Sequence, residues 1–308
     1  MAVKLLFLSW IVGKYYLLLY FCAMRKSKLT ILFFLAVLNV YSQIPAGYYN
    51  SAEGLTGEAL KTELYNIIKG HVEYPYTSKD TDVWDVLKES DQDPENPENV
   101  ILFYTGWSVD AAQEYNGGAG WSREHVWAKS RGDFGTAKGP GTDCHHLRPC
   151  DISVNSARNN RWFDRCTTPY FDRGVETGCY FSSVNWVWQP RDEVKGDVAR
   201  MILYMATRYE GENGEPDLEV IDFLPSENRT KNPVHAKLSV ILEWSREDPV
   251  DEFERNRNDV VYGYQHNRNP FVDHPEYVDM IWGYVTGIGE DGELRSQVEI
   301  YSNTAGRN

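Results

Sequence analysis

The 308-residue chain carries 45 acidic and 31 basic residues, which gives a formal net charge of −14. A chain this acidic is a poor candidate for a protein that packages nucleic acid, because phosphate contacts require a basic surface. The basic residues are unevenly spread, since the segment from Trp121 to Arg165 holds eight Lys or Arg against five Asp or Glu. A local basic groove on an acidic body suits a hydrolase of an anionic substrate.

Residues 1–42 have the composition of an export signal. A basic stretch, Met24 to Lys28, precedes the almost purely apolar run from Leu29 to Val40, and a small residue, Ser42, follows at a cleavage site. The run is shorter than the roughly 20 residues that span a bilayer. A second apolar stretch lies further upstream, and we interpret residues 1–23 as sequence before the true start at Met24. The alternative interpretation is an N-terminal membrane anchor.

Cleavage after residue 42 would remove five basic residues and no acidic one, taking the net charge from −14 to −19. We expect the product to be secreted or periplasmic, to lack stable membrane association and to be a monomer. Residues 43–308 have the length of one domain, and we expect a single domain.

The domain is predicted to begin with helices. Apolar residues at helical spacing predict a helix over residues 56–69, with Thr56 as N-cap, and a shorter helix over residues 81–88. Buried strands are predicted over residues 101–105 and 121–127. A glycine-rich loop over residues 131–142 leads to an extended segment, 145–147, which Pro149 is expected to stop.

Helices dominate the second half of the domain. Asp151 is expected to cap a helix that runs through Asn160. Further helices are predicted over residues 197–209, 233–246 and 251–265. The middle of the domain is predicted as strand, loop, strand and helix, with further helices around it. This order indicates an α+β fold, because helices and strands do not alternate regularly.

Four cysteines follow the predicted cleavage site: Cys144, Cys150, Cys166 and Cys179. An even number in an exported protein predicts disulfides, and four cysteines permit three pairings. A zinc site is the weaker interpretation, because the chain has no Cys-x-x-Cys pair.

Three segments carry the residues most suited to chemistry: Arg123 to Trp127, Asp143 to Pro149, and Val154 to Asn160. On the third segment, Asn155, Arg158 and Asn159 share a helix face with Asp151, which is typical of a site wall rather than a core. Phosphodiester hydrolysis needs a base, a cation and a group that stabilises the leaving oxygen. Histidine, carboxylate, amide and guanidinium groups supply these functions.

Together the three segments resemble the endonuclease I family, secreted or periplasmic nucleases of the ββα-metal (His-Me finger) superfamily that include bacterial extracellular ribonucleases. The resemblance covers roughly residues 48–284 and rests on Glu124-His125, on Asp143 to Pro149, and on the helix that carries Asn155 and Arg158. It implies a central ββα-metal motif packed among helices.

The resemblance also implies roles for these residues. His125 would be the general base, Glu124 and Asn155 the metal ligands, and Arg158 the catalytic residue that binds phosphate. Mg²⁺ is the expected ion, with Mn²⁺ or Ca²⁺ as alternatives. The products would carry 5′-phosphate and 3′-hydroxyl ends.

Supporting roles fall to a second group of polar residues. Asp143 is expected to pin the loop, Asn160 to brace the site, and His145 and Asn159 to orient ligands or contact substrate. Many family members have Asn where this chain has His146, which leaves open the role of the neighbouring histidine pair.

The leading hypothesis is therefore a secreted metal-dependent endonuclease that cuts DNA, RNA or both. One alternative is a catalytically silent nucleic-acid-binding module on the same scaffold. Another is a metal phosphodiesterase that acts on a small substrate in a closed pocket. A nuclease assay with and without chelator separates the three.

Overall fold

Helices and small β-sheets are interleaved along the chain in a computed structural model, which describes residues 44–227, 230–283, 286–288 and 294–296. The predicted export signal, residues 1–42, lies outside the described residues. All described residues belong to one compact unit, Ile44–Asn308. Within them, no helix is both long and apolar enough to cross a membrane.

The described residues form eight α-helices. In chain order these are α1 (Gly57–Ile68), α2 (Val83–Ser90), α3 (Ile152–Arg158), α4 (Lys195–Arg208), α5 (Leu238–Glu247), α6 (Glu252–Gln265), α7 (Pro270–Asp273) and α8 (Glu276–Trp282). The helix α4 is the centre of the molecule, since all its residues are buried and it contacts α1, α5 and α7. A helix buried on every side must pair its charged side chains within the protein, as Arg200 does with Glu254.

Twelve short strands complete the described fold: β1 (Asn99–Ile101), β2 (Ser108–Asp110), β3 (Trp121–His125), β4 (Leu147–Asp151), β5 (Trp162–Phe163), β6 (Thr168–Asp172), β7 (Val175–Ser182), β8 (Val187–Gln189), β9 (Glu219–Ile221), β10 (Val234–Lys237), β11 (Thr286–Ile288) and β12 (Leu294–Ser296). Four sheets are two-stranded, and the fifth has the strand order β5-β8-β7-β6. Mixed helices and separate small sheets confirm the predicted α+β class.

The strands β3 and β4 form an antiparallel pair, and α3 follows directly. Their register places Glu124 opposite Arg148 and His125 opposite Leu147. The Asp151 side chain accepts a hydrogen bond from the Ser153 amide at 2.8 Å, which confirms the predicted N-cap of α3. This strand–strand–helix unit positions the candidate site.

Several predicted boundaries were wrong, each for a structural reason. The helix α3 ends at Arg158, because Asn159 adopts a left-handed φ of 53°. The residues before Leu147 form a turn rather than an extended segment. Pro149 lies within β4 instead of stopping it, because its carbonyl accepts a hydrogen bond from Phe103 and its position needs no N–H donor.

Two further differences come from strand pairing that local patterns do not show. The helix predicted over residues 233–246 is a strand, β10, followed by α5, because β10 pairs in parallel with β9. The strand predicted over residues 101–105 occupies residues 99–101 instead. The four-stranded sheet β5-β8-β7-β6 has no counterpart in the sequence prediction.

The four described cysteines are free thiols, and three of them are buried. Burial raises the pKa of Cys179 to about 12, which keeps that sulfur protonated near neutral pH. The structure gives no support to the disulfides that the sequence predicted.

Candidate functional site

Glu124 is buried in β3, and only one of its two carboxylate oxygens has polar partners among the described side chains. Its Oε1 accepts a hydrogen bond from the Tyr104 hydroxyl at 3.0 Å and lies 3.3 Å from Arg158 Nε. Among the described residues, Oε2 receives no hydrogen bond. Burial raises the pKa of Glu124 to about 7, while the charge of Arg158 and the Tyr104 hydroxyl oppose that rise. Within the described residues, Oε2 is therefore the free oxygen of this carboxyl group.

His125 is the last residue of β3 and only 6 % exposed. Its Nε2 lies 3.0 Å from the Gly141 carbonyl oxygen, so Nε2 carries the proton and donates it. The Tyr76 ring stacks on the imidazole at 5.7 Å between centroids, and Phe134 packs at 6.4 Å. Burial lowers the pKa of His125 well below its usual value. The ring is therefore neutral, with Nδ1 left as the proton acceptor.

The side chains of Glu124 and His125 contact different parts of the protein. Successive residues of a β-strand project to opposite faces, and the surroundings of the two side chains follow that rule. Tyr104 and Arg158 surround the carboxylate, whereas Tyr76 and Gly141 hold the imidazole.

Asn155 lies against β3 from the neighbouring helix. Its amide nitrogen donates to Ser122 Oγ at 3.1 Å and to the Arg123 carbonyl at 3.4 Å. With the nitrogen so committed, the amide oxygen Oδ1 is left for another partner. The structure thus brings Asn155 to the strand segment that immediately precedes Glu124.

Arg158 is buried, and each arm of its guanidinium faces a protein group. Nη1 donates to the carbonyls of His125 at 3.2 Å and Asn159 at 3.0 Å. Nη2 donates to the Val126 carbonyl and to His235 Nε2, the latter at 3.0 Å. Nε lies beside Glu124 without donating a hydrogen bond, so four of the five N–H donors of Arg158 are used inside the protein.

Asp143 anchors the loop before β4 to the core. Its Oδ2 accepts hydrogen bonds from the hydroxyls of Tyr204 at 2.8 Å and Tyr209 at 2.9 Å. Its Oδ1 accepts from the His145 amide at 2.9 Å and from Gln265 Nε2 at 3.0 Å. Burial opposes ionisation, but three neighbouring histidines and the Gln265 hydrogen bond hold the pKa of Asp143 well below its usual value.

The histidine pair after Asp143 is also bound inside the protein. His145 Nε2 lies 3.1 Å from the Asn267 carbonyl, and His146 Nε2 lies 2.8 Å from the Pro140 carbonyl. The His146 ring packs against His125 at 5.6 Å between centroids. His146 therefore borders the imidazole of the candidate base, whereas His145 braces a distant turn.

The two asparagines that follow α3 differ in position. Asn159 is the exposed C-cap, and its Oδ1 accepts from the Asn160 amide at 2.8 Å. The Asn160 side chain donates to Ser130 Oγ at 3.2 Å and accepts from Trp186 Nε1 at 2.8 Å. Asn160 thus connects the loop after β3 to the β7–β8 turn.

The predicted basic groove is much smaller than the count of charges implied. Five of the eight basic residues between Trp121 and Arg165 are buried: Arg123, Arg131, Arg148, Arg158 and Arg161. The exposed Arg165 pairs with Glu243 and Glu247. Of these eight residues, only Lys129 and Lys138 are exposed and have no ion pair within the described part of the chain.

Sequence reasoning did not single out Lys129, four residues after His125. Beside the dominant effect of burial, its positive charge lowers the pKa of both Glu124 and His125, so it lies within electrostatic range of both. A lone lysine in a loop has no local signature, and only its position after the Glu124-His125 pair could have indicated it.

No three His, Cys, Asp or Glu side chains of the described residues are grouped as a metal centre of their own. An oxygen-preferring ion such as Mg²⁺ does not need such a group, because it keeps several waters and takes one or two carboxylates plus substrate phosphate. The unused Glu124 Oε2 and Asn155 Oδ1 are donors of the right kind. The residues present therefore fit such an ion.

Comparisons with known proteins place the chain among known nucleases. A model of the family described as Endonuclease I matches residues 56–276, a range that includes every site residue discussed above from Tyr76 to Gln265. The chain is similar to an extracellular ribonuclease of Bacillus subtilis (strain 168), with 55% identity over 241 residues, 76% of this chain and 78% of that protein. It is also similar to an extracellular ribonuclease of Bacillus amyloliquefaciens, with 54% identity over the same shares of each chain.

Proposed function

Because the chain belongs to the endonuclease I family and is a hydrolase of nucleic-acid phosphodiester bonds, we propose that it is a secreted, metal-dependent endonuclease with His125 as general base. The observation that carries the proposal is the Gly141 contact, which commits Nε2 of a buried, neutral imidazole and leaves Nδ1 to accept a proton. The similar proteins are named extracellular ribonucleases. Secretion and RNA cleavage are therefore part of the proposal, with DNA as the second substrate to test.

His125 would take a proton from the attacking water at Nδ1 while Nε2–H stays on the Gly141 carbonyl. The hydrogen bond to a backbone carbonyl fixes the tautomer, and the stacked Tyr76 ring fixes the plane of the imidazole. Both constraints hold Nδ1 in one direction before the substrate arrives.

Glu124 Oε2 and Asn155 Oδ1 would hold a divalent ion of the Mg²⁺ type, with Mn²⁺ and Ca²⁺ as alternatives. When bound, such an ion supplies positive charge to the phosphate oxygens and the leaving 3′ oxygen. On the protein side, Tyr104 donates to Oε1 and Arg158 lies beside the same oxygen, which leaves Oε2 free. The hydrogen bonds from Asn155 to Ser122 and Arg123 leave its Oδ1 free in the same way.

For the phosphate contact the geometry favours Lys129. Arg158 was predicted to bind phosphate, but its donors face Glu124, three backbone carbonyls and His235. We therefore propose Arg158 as a positioning residue for Glu124. Lys129 is exposed, has no ion pair in the described residues, and lies within electrostatic range of Glu124 and His125.

The proposal is tested with purified protein on RNA and on plasmid DNA, with Mg²⁺, Mn²⁺ or Ca²⁺ and with chelator. His125→Ala should lower cleavage by about 10²- to 10⁴-fold, the usual contribution of a general base. Ion binding measured by calorimetry should be little changed in that variant. His266→Asn is the matched control, because His266 is exposed at the C-cap of α6.

Different outcomes remove different parts of the proposal. Near-normal cleavage by His125→Ala would remove the base assignment. Cleavage that persists in chelator would contradict the metal dependence. A wild-type protein without nuclease activity would contradict the proposed function itself. Glu124→Ala should weaken ion binding, and an unchanged affinity would contradict its role as a ligand.

A further inference from the structure

The turn between β7 and β8 contains a backbone conformation that is unusual for its residue. Trp186 adopts a φ of 55°, in the left-handed region that glycine and asparagine occupy most readily. Its carbonyl accepts a hydrogen bond from the Trp162 amide at 2.9 Å, which joins β8 to β5. A bulky residue in such a position is strained, and the hydrogen bond from Trp162 holds it there.

The Trp186 indole is half-buried and is held from two directions. Its Nε1 donates to Asn160 Oδ1 at 2.8 Å, and the Arg161 guanidinium lies 4.1 Å from the ring centroid. Arg161 Nε has no hydrogen-bond partner in the described residues. The tryptophan is thus fixed in orientation and partly exposed, with a cation on one face of its ring.

Contacts connect this indole to the loop that carries Lys129. The Asn160 side chain that accepts from Trp186 also donates to Ser130 Oγ at 3.2 Å. Ser130 directly follows Lys129, the free cation within electrostatic range of Glu124 and His125. Trp186 and the cationic Lys129 therefore lie on two loops, and the Asn160 side chain forms a hydrogen bond with each loop.

We propose that Trp186 is a stacking platform for a nucleobase of single-stranded nucleic acid next to the scissile phosphate. The proposal rests on the nuclease function above and names the part of the substrate that the site recognises. Every base offers a π-face, so stacking on an indole gives affinity without sequence preference. A base in a duplex is already stacked on its neighbours, so the platform favours single strands.

The test is a coupling experiment on single-stranded RNA, with single-stranded DNA of the same sequence as a second arm. One nucleotide at a time is replaced by an abasic residue, and KM and kcat are measured for the wild type and Trp186→Ala. With intact strands, we expect Trp186→Ala to raise KM roughly tenfold, the scale of one lost stacking contact, with little change in kcat. At one strand position, the abasic residue should raise KM for the wild type and not for the variant.

Three matched variants separate binding from folding. Trp186→Phe keeps a ring and should restore most of the affinity. Trp186→Asn suits the left-handed backbone, so it should melt no lower than Trp186→Ala while losing the same affinity. Trp282→Phe changes a half-buried tryptophan that packs on Phe271, away from the site, and should leave KM unchanged.

Equal effects of every abasic position on the wild type and Trp186→Ala would overturn the proposal, provided that the wild type cleaves. If the wild type does not cleave any strand, the nuclease function itself fails. If RNA and DNA respond equally, the platform recognises bases alone. An effect of Trp186→Asn on melting with no effect on KM would make the residue structural, and the proposal would be wrong.

Discussion

Arg158 Nε lies 3.3 Å from Glu124 Oε1, with the two side chains almost fully buried. The pair is electrostatic rather than a hydrogen bond, since Nε–H is not aimed at the oxygen. The other arms of the same guanidinium hold the carbonyls of His125 and Val126. One side chain of α3 therefore fixes the backbone that follows Glu124 and the carboxylate itself.

This relationship predicts that Arg158 acts on stability. Arg158→Met should lower the free energy of unfolding by about 3–5 kcal/mol, because it leaves buried carbonyls without their donors and Glu124 without its cation. Denaturant titration above pH 7, where Glu124 is ionised in the wild type, measures the loss. Adding Glu124→Gln to the same protein should recover part of it, since a neutral amide replaces the carboxyl group that has lost its cation. A normal stability with a raised KM would instead support the phosphate role that the sequence predicted for Arg158.

Lys129 is predicted to make the phosphate contact. Lys129→Gln should weaken binding of a nucleic-acid substrate and lower by about one the slope of log affinity against log salt concentration, the amount expected for one lost phosphate contact. KM measured over a range of salt concentrations gives that slope. Lys138→Gln is the matched control, because Lys138 is equally exposed and its charge is not among the main influences on the pKa of Glu124 or His125. Equal slopes in the wild type and Lys129→Gln would contradict the assignment.

Local sequence patterns predicted two parts of the site, the strand β3 and the start of α3. The strand that ends at His125 follows from its buried residues, and the start of α3 follows from the Asp151 cap. The orientation of Arg158 could not be predicted, because its partners Glu124 and His235 are 34 and 77 residues away along the chain. From the sequence, this face of α3 was therefore predicted to border a phosphate site. In the fold, the same face contacts β3.

The fold shows the same division between local and distant information. Helices α1 and α6 were predicted to within two residues at each end, because both depend on local sequence. Apolar spacing defines α1, although the Thr56 side chain makes no cap hydrogen bond, and the Asp251 cap begins α6. The strand β10 was predicted as a helix, because its conformation depends on pairing with β9. A bulge in that pairing gives Ala236 a φ of 60° beside the buried His235, and nothing in the local sequence indicates it.

The buried histidines predict that the protein loses stability in mild acid. Burial lowers the pKa of His145 and of His146 to about 4, below the value of about 6.5 that each has in an unfolded chain. Between those pH values the unfolded state binds more protons than the folded state. Stability is therefore fully present above pH 6.5 and falls as the pH drops toward 4, by up to about 3 kcal/mol per pH unit for the two together. Burial lowers the pKa of His71, His125 and His235 too, which acts in the same direction. Burial raises the pKa of Glu124 and of Glu254 to about 7, so these two carboxyl groups offset part of the loss as the pH falls.

Denaturant titrations between pH 7 and pH 4 measure this slope. His146→Gln should lower the slope by up to about 1.4 kcal/mol per pH unit, because one proton-binding group that distinguishes the unfolded state is removed. His266→Asn, at an exposed position, should leave the slope as it is. Equal slopes in the wild type and His146→Gln would show that His146 takes up its proton without unfolding the protein. In that case the buried contact of His146 with Pro140 would have to tolerate a charge.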